Sequence, residues 1–471
     1  MLTLEIGPDF SNDLFSQIDF SGGVIAAVSG GSDSTALLLL LKSHLDRFAP
    51  TARLLAVTVD HDLRRGSAAE AQAVARLCNT LGIAHRILVW SGPKPSSGLP
   101  AAAREARYRL LAALAADEGI GLILTGHTAD DQAETVLMRH ARDGHDDGAD
   151  DEGRGLAGMA PATLYDWRVW IVRPLLGARR AALRALLRRR DVDWAEDPTN
   201  ADASYERPRI RAALSGEQGD ARGAQAIALA GEAASRRERL GQAAARLIGA
   251  FASRPCAGLI RLDPGILAAD EDAAAAVYAL RILLATTGGS VFLPDRDRVA
   301  GLFERLRAGP VRATLSRSVV DARRSGIFLH REARDLPAAA VAVADAIWDG
   351  RRRITLSDSN VSLLIAPLGA AAARRNATIG GETPQSLIRA ALAAEPALFD
   401  ADGNVLSWPD LTHESGIPPG LVARPVVAPF ARFLPSFDLA PAGVVAELVG
   451  ALPMPAAPFG SEDAGNPWAK A

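Results

Sequence analysis

Cysteine is almost missing from this chain. Cys78 and Cys256 are the only two in 471 residues, and they form no CxxC pair. That argues against a disulfide framework, a zinc ribbon or an iron–sulfur site. Lysine is nearly as scarce: only Lys42, Lys94 and Lys470 occur, so 49 of the 52 basic residues are arginine. A GC-rich genome accounts for most of that bias, as it does for the abundant alanine, so placement matters more than number. No apolar run approaches the roughly 18 residues of a membrane span. The N-terminal MLTLEIGPDFSNDLF carries acids where a signal peptide needs bases. The expectation is a cytoplasmic protein with no membrane partner. An excess of positive charge is lacking too: the formal net charge is -3. Taken whole, that argues against a chain coated in charge for nucleic acid.

What remains is 48% hydrophobic and 23% charged, with 42 Gly and 28 Pro, a composition for folded domains. At about 150 residues per domain, the length suggests about three. From 22 to 142 two periods alternate. GVIAAVS, RLLAVTVDH, AHRILVW and GLILTGH read as buried strands. Helices are expected from Ser34 to Phe48, from about Ser67 to Leu81, from Pro100 to about Glu118, and from Asp130 to Arg142. Strand–helix alternation predicts an α/β fold, a doubly wound parallel sheet with helices on both faces. Ligands then bind beyond the carboxyl ends of the strands. The boundaries expected are 1–215 for this catalytic domain and 216–335 for a mostly helical one with strand-like ends such as GIFLHRE. A small α+β domain follows at 336–440, and a Pro/Ala-rich tail at 441–471. Residues 143–152 hold six acids and no Lys or Arg, whereas Trp167 to Arg190 holds eight Arg and no acid.

Three segments at strand ends carry chemistry. Ser29-Gly30-Gly31-Ser32-Asp33-Ser34 joins a strand to a helix. Its glycines let backbone amides turn toward one point, and the helix adds its positive end, which makes a phosphate pocket. It lacks the Lys of a GxxxxGK[ST] loop. Asp33 disfavours a bare phosphate and so implies a shared metal ion, Mg²⁺ being the best match. The second segment is His61-Asp62-Leu63-Arg64, followed by Ser67–Glu70, which reads as a capping box. The third is Gly126-His127-Thr128-Ala129-Asp130-Asp131-Gln132-Ala133-Glu134-Thr135. On a helix, Asp131 and Glu134 are neighbours at i,i+3. Thr128 and Asp131 suit a cap, and a first-turn role explains Asp130. A cap does not explain a carboxylate pair with His127 beside it.

SGGSDS at this place resembles the PP-loop of the N-type ATP pyrophosphatases, which cleave ATP between the α and β phosphates. Taken with HDLR (61–64), AREARYRLL (103–111), GHTADDQAET (126–135), RPLL (173–176) and DPTN…RIR (197–211), it resembles the tRNA(Ile)-lysidine synthetase family over about 210 residues. Pro208 stands where that family usually has Asn. The resemblance implies that ATP and free L-lysine convert the wobble cytidine of a CAU-anticodon isoleucine tRNA to lysidine, through an adenylated tRNA. Residues 29–34, with His61 and Arg64, would bind ATP, and Asp33 would hold Mg²⁺. Arg107 would sit near the α-phosphate, and His127, Asp131 and Glu134 would handle lysine. A lysine amine with pKa near 10.4 is only roughly 0.04% neutral at pH 7, so one of these three must also serve as general base. Arg180, Arg184 and Arg188 share one helix face above an apolar stripe of Leu183, Leu186 and Leu187. They are expected to meet tRNA phosphates. The sequence leaves the oligomeric state open, a homodimer among the options. A tRNA thiolation enzyme would need cysteine pairs, and GMP synthetase does not share the DDQAET and RPLL segments. An idle tRNA-binding relative would have no need of Asp33, Arg107, Asp131 and Glu134.

Overall fold

The computed structural model describes residues 10–63, 66–143, 154–196, 206–268, 272–356, 363–376, 383–400, 403, 405–407 and 421–459. The chain forms two compact units. The first comprises Met1–Glu238, Phe433–Phe437 and Pro455–Ala471, and the second Arg239–Arg432 and Asp438–Met454.

The first unit is built on a seven-stranded sheet. Its strands are β1 (Val24–Ala27), β2 (Leu54–Asp60), β3 (Ala84–Val89), β4 (Leu122–Thr125), β5 (Ala162–Tyr165) and β6 (Val169–Val172). Phe433–Pro435 completes it. The order is β3-β2-β1-β4-β6-β5, then Phe433–Pro435 at the edge. β3, β2, β1, β4 and β6 run parallel, β5 runs antiparallel to β6, and the edge strand runs antiparallel to β5. The parallel strands are Val/Ile/Leu-rich because both faces are covered. The helices are α1 (Phe10–Phe15), α2 (Ser32–Phe48), α3 (Ser67–Thr80), α4 (Leu99–Asp117), α5 (Ala129–Asp143), α6 (Arg180–Arg189), α7 (Glu206–Ala213) and α8 (Gly216–Phe251), the last belonging to this unit only through Glu238. The chain moves one way through β1, β2 and β3, then returns past β1 to β4. With right-handed crossovers, that reversal sends α4 to the face opposite α2 and α3. Tyr108, Leu111 and Ala115 of α4 pack there on Ile25, Val57 and Ile123. The loops after β1 and β4 diverge where the strand order reverses, which opens a crevice at their carboxyl ends.

Two local features differ from the sequence expectation. Ser67 and Glu70 do not form the capping box. α3 is preceded by Gly66 in the left-handed region (φ 100°), and no side chain caps it. With its φ positive, the turn ends on a glycine that places Ser67 inside the helix instead of at its cap. The region read as helical, 216–335, also contains a five-stranded antiparallel sheet. Its order is Ala252–Cys256, Leu259–Leu262, Gly326–Arg331, Ser318–Arg323, Arg312–Leu315. Its residues Cys256, Leu259 and Phe328 share one core cluster with Leu387, Ile388 and Ala397. That cluster crosses the 335/336 boundary. The second unit also buries Arg351 and Arg352 on Glu395, and Arg331 and Arg351 on Asp349. The acidic stretch after Asp143 and the tail after Phe459 lie outside the described residues.

One glycine sets the spacing of the crevice. A Cβ on Gly126 would lie 2.9 Å from the backbone N and Cα of Ser34. The turn after β4 therefore touches the first turn of α2, and only backbone fits between. Gly126→Ala forces those segments apart, and overpacking of this kind costs about 1–3 kcal/mol. The urea midpoint of the variant should fall accordingly; an unchanged midpoint would contradict this contact.

Candidate active site

The loop after β1 is held by its own serines. Gly30 adopts φ +87°, and a Cβ there would meet Val74 Cγ2 at 3.3 Å, so glycine serves both conformation and space. The Ser29 amide donates to Ser34 Oγ at 3.1 Å, and Ser34 Oγ donates to the Gly31 carbonyl at 3.2 Å. From the far side, the Ala195 amide donates to the Gly30 carbonyl at 2.8 Å. Gly31 is the extended N-cap of α2 and supplies no side-chain cap. The first-turn amides of a 17-residue helix thus open at the loop, with the positive end of the helix behind them. This arrangement binds an oxyanion.

Beside it lies a buried centre of three carboxylates and three guanidiniums. Asp131 closes the first turn of α5: the Thr128 amide and Oγ1 both donate to its Oδ2 at 2.9 Å. That is the expected cap, yet it leaves Oδ1 facing the crevice. Glu134, one turn on, is 1% exposed. Arg180, in the first turn of α6, donates from Nε to Asp33 at 2.8 Å and from Nη2 to Asp131 Oδ1 at 3.0 Å. Its Nη1 reaches Glu134 at 3.4 Å. Asp130 accepts the Arg180 backbone amide at 2.7 Å, which places its charge at the start of α6. Two more arginines come from α7. Arg207 donates to Glu134 at 2.6 Å and to Asp131 at 2.9 Å, and Arg211 donates from Nε to Glu134 at 2.8 Å. Pro208 sits in the first turn of α7, where a missing amide costs the helix nothing. Burial raises the Asp33 carboxyl above its ordinary range, while the Arg180 charge opposes the rise. Burial works against the charge on Arg180, yet Asp131 and Asp33 more than reverse that, and its pKa is raised.

Two histidines complete the crevice. His61, just past β2, lies 3.4 Å from Arg107 Nη2 of α4 and sits edge-on to Trp90. Burial, then the Arg107 charge, lowers its pKa to about 4. His127 pairs through Nδ1 with Thr125 Oγ1 at 3.0 Å. Its pKa is lowered well below the ordinary value, by burial first and then by the charges of Arg173, Arg104, Arg107 and Arg207. At neutral pH both rings are uncharged. Arg173 of the RPLL segment is itself buried, donating to the Ala160 carbonyl at 2.7 Å and to Thr163 Oγ1 at 3.0 Å.

The structure thus gathers Asp33, Asp131 and Glu134 around one fork, and sets His61 against Arg107. Arg64 lies outside the described residues, as do Asp197–Asn200 of the DPTN segment. Leu183, Leu186 and Leu187 form the buried stripe of α6. Its arginines, however, divide their work. Arg180 points into the carboxylates, 16% exposed, because its helix begins beside them. Arg184 reaches Ser32 Oγ at 3.3 Å and Glu196 at 3.1 Å. Arg188 is exposed, its guanidinium 5.6 Å from the Trp194 ring centroid. Arg207 and Arg211 were not singled out from the sequence. Their i,i+4 spacing, one helical turn, was the available signal.

A PP-loop domain family matches residues 11–218. A tRNA(Ile)-lysidine synthase from Mesorhizobium japonicum is 65% identical over 467 residues, covering 98% of this chain and 100% of that protein. One from Brucella ovis is 39% identical, covering 91% and 94%. Among solved structures, a U34-tRNA thiolase from Methanococcus maripaludis covers 49% of this chain and 78% of its own, at 16% identity and a TM-score of 0.39. Among the described residues, no helix is long and apolar enough to cross a membrane.

The histidines predict a pH dependence. His61 has a folded pKa of about 4 against an unfolded value near 6.5. The unfolded chain therefore binds more protons in that window, and stability falls as pH drops from 6.5 toward 4. His61→Gln should make the fall in urea midpoint between pH 6.5 and pH 5 shallower than in the parent. Parallel curves would show that His61 is not held neutral.

Proposed function

The chain belongs to the tRNA(Ile)-lysidine synthase family, and from that we propose the division of labour in its active site. The enzyme binds ATP in its PP-loop domain and forms lysidine on tRNA(Ile). In our reading, Ser29–Ser34 and the start of α2 hold the pyrophosphate portion of ATP. Amides and hydroxyls aimed at the leaving group stabilise it as the α–β bond breaks. The wobble cytidine O2 attacks the α-phosphorus, and Arg107 spreads the charge that gathers there. His61 orients Arg107 and, being neutral, does not repel it.

Asp33 suits Mg²⁺. The ion typically takes one or two carboxylates and fills its remaining positions with phosphate oxygens and water. The half-buried carboxylate of Asp33 beside the phosphate loop meets that need. Bound there, Mg²⁺ would neutralise charge on the departing pyrophosphate.

Asp131 and Glu134 receive the ε-amine of L-lysine, whose nitrogen attacks C2 of the adenylated base. The C2–O bond then breaks and AMP departs. His127 lines the same end of the crevice as an uncharged ring. Arg188, exposed at the end of α6, meets a tRNA phosphate, and Arg184 links that side to Ser32. The observation that carries this reading is the placement of the Asp131–Glu134 pair within one arginine fork of Asp33. The nucleophile's site and the leaving group's site are joined side by side.

Incubation with ATP, radiolabelled lysine and minor isoleucine tRNA should place label in the anticodon. Glu134→Gln should lose that incorporation while keeping ATP–pyrophosphate chemistry; normal lysine incorporation would refute the assignment. Arg188→Glu should weaken tRNA binding and lower the salt slope by about one unit. Equal binding at low and high salt would remove Arg188 from the interface.

A further inference from the structure

The carboxylates that receive lysine are already full. Asp131 accepts from Arg180, Arg207, the Thr128 amide and Thr128 Oγ1. Glu134 accepts from Arg180, from Arg207 and twice from Arg211. A carboxylate offers about four lone-pair positions, so each has its complement. Among the described residues the charges balance as well: Asp33, Asp131 and Glu134 face Arg180, Arg207 and Arg211. Asp130 is spent on the start of α6 and on Arg179. On the other side stand His127, uncharged, and the cations Arg173, Arg104 and Arg107, which act on it. A pocket for an ammonium ion would show surplus negative charge and open acceptors. Among the described residues, Asp131 and Glu134 show neither.

We infer that this centre takes the ε-amine of lysine as a neutral amine, and that Arg180, Arg207 and Arg211 are the positioning residues that make it do so. The inference rests on the reading that lysine's amine is received by Asp131 and Glu134. An ammonium ion brings three donors and a unit charge into a site already balanced. Like charges nearby disfavour the charged form. A neutral amine needs fewer acceptors. A small shift of Arg207, at 42% exposed the freest of the three, vacates them while its charge stays in place. The proton balance is explicit. The free ammonium gives its proton to solvent on binding, and the nitrogen keeps two hydrogens and its lone pair. That pair forms the bond to C2, AMP departs with the electrons of the C2–O bond, and the nitrogen, now with four bonds, gives one of its two hydrogens to solvent as a second proton. The arginines thus answer the problem of a nucleophile that is roughly 0.04% neutral in water at pH 7.

The test uses the full chain. If only neutral amine is taken, the lysine KM, with ATP and tRNA saturating, falls about tenfold per pH unit from 7 to 8.5. Calorimetric titration of lysine at pH 7 in two buffers of different ionisation enthalpy should show about one proton released per lysine bound. Arg180→Gln, which leaves three carboxylates against two arginines, should flatten the KM slope, lower KM at pH 7 and lower kcat. Arg180→Lys should restore the slope. A KM independent of pH, or binding without proton release, overturns the inference. Failure of lysine to bind, or full incorporation by Glu134→Gln, would instead overturn the assignment of the amine site. ATP–pyrophosphate exchange in each variant shows that the fold and the phosphate loop survive.

Discussion

The geometry of the crevice depends on one guanidinium. Arg180 spans Asp33 at the start of α2 and the Asp131–Glu134 pair on α5, and its own amide is held by Asp130. Three carboxylates brought this close would repel one another without a cation between them. A buried charge stripped of its partner costs several kcal/mol. α2, α5 and α6 are therefore pinned to one another by charge as well as by packing. The reagents' positions inherit that registration. Leucines alone could not supply it, because burial of apolar surface is non-directional and a fork of five donors is not.

Much of this was legible in the sequence. Strand and helix alternation from 22 to 142 appears in the structure as β1 to β4 with α2 to α5, because buried parallel strands and amphipathic helices have distinct periods. The strand-end motifs could be placed together from topology alone. What resisted reading has physical causes. Side-chain direction depends on where a helix begins, so Arg180 looked like one more member of an arginine face. Arg207 and Arg211 lie more than seventy residues from Glu134, and no local pattern encodes that meeting. The sheet at 252–331 was obscured by the long helices around it. The failed cap at Ser67 shows a local motif overruled by a glycine one residue earlier.

Net charge is an equally partial guide. The total of -3 conceals a crevice where, among the described residues, Asp33, Asp131 and Glu134 pair with arginines, and a helix end at Arg188 that is exposed. An average over 471 residues cannot distinguish a uniformly mild surface from segregated charges that matter one at a time. Arginine dominates where geometry is demanded. Its planar fork serves three carboxylates at once, which a lysine ammonium on a flexible stem does not do.

The first unit is assembled from segments far apart in the sequence. Phe433–Pro435 pairs with β5, and Phe459 bridges Ile18. On a ribosome adding about 5–20 residues per second, β5 waits some tens of seconds for its neighbour. During that interval its outer edge offers unpaired amides and carbonyls to any strand that passes. Tyr165, which ends β5, likewise waits for the ring of Phe433. The catalytic unit is therefore the first to begin folding and among the last to be finished.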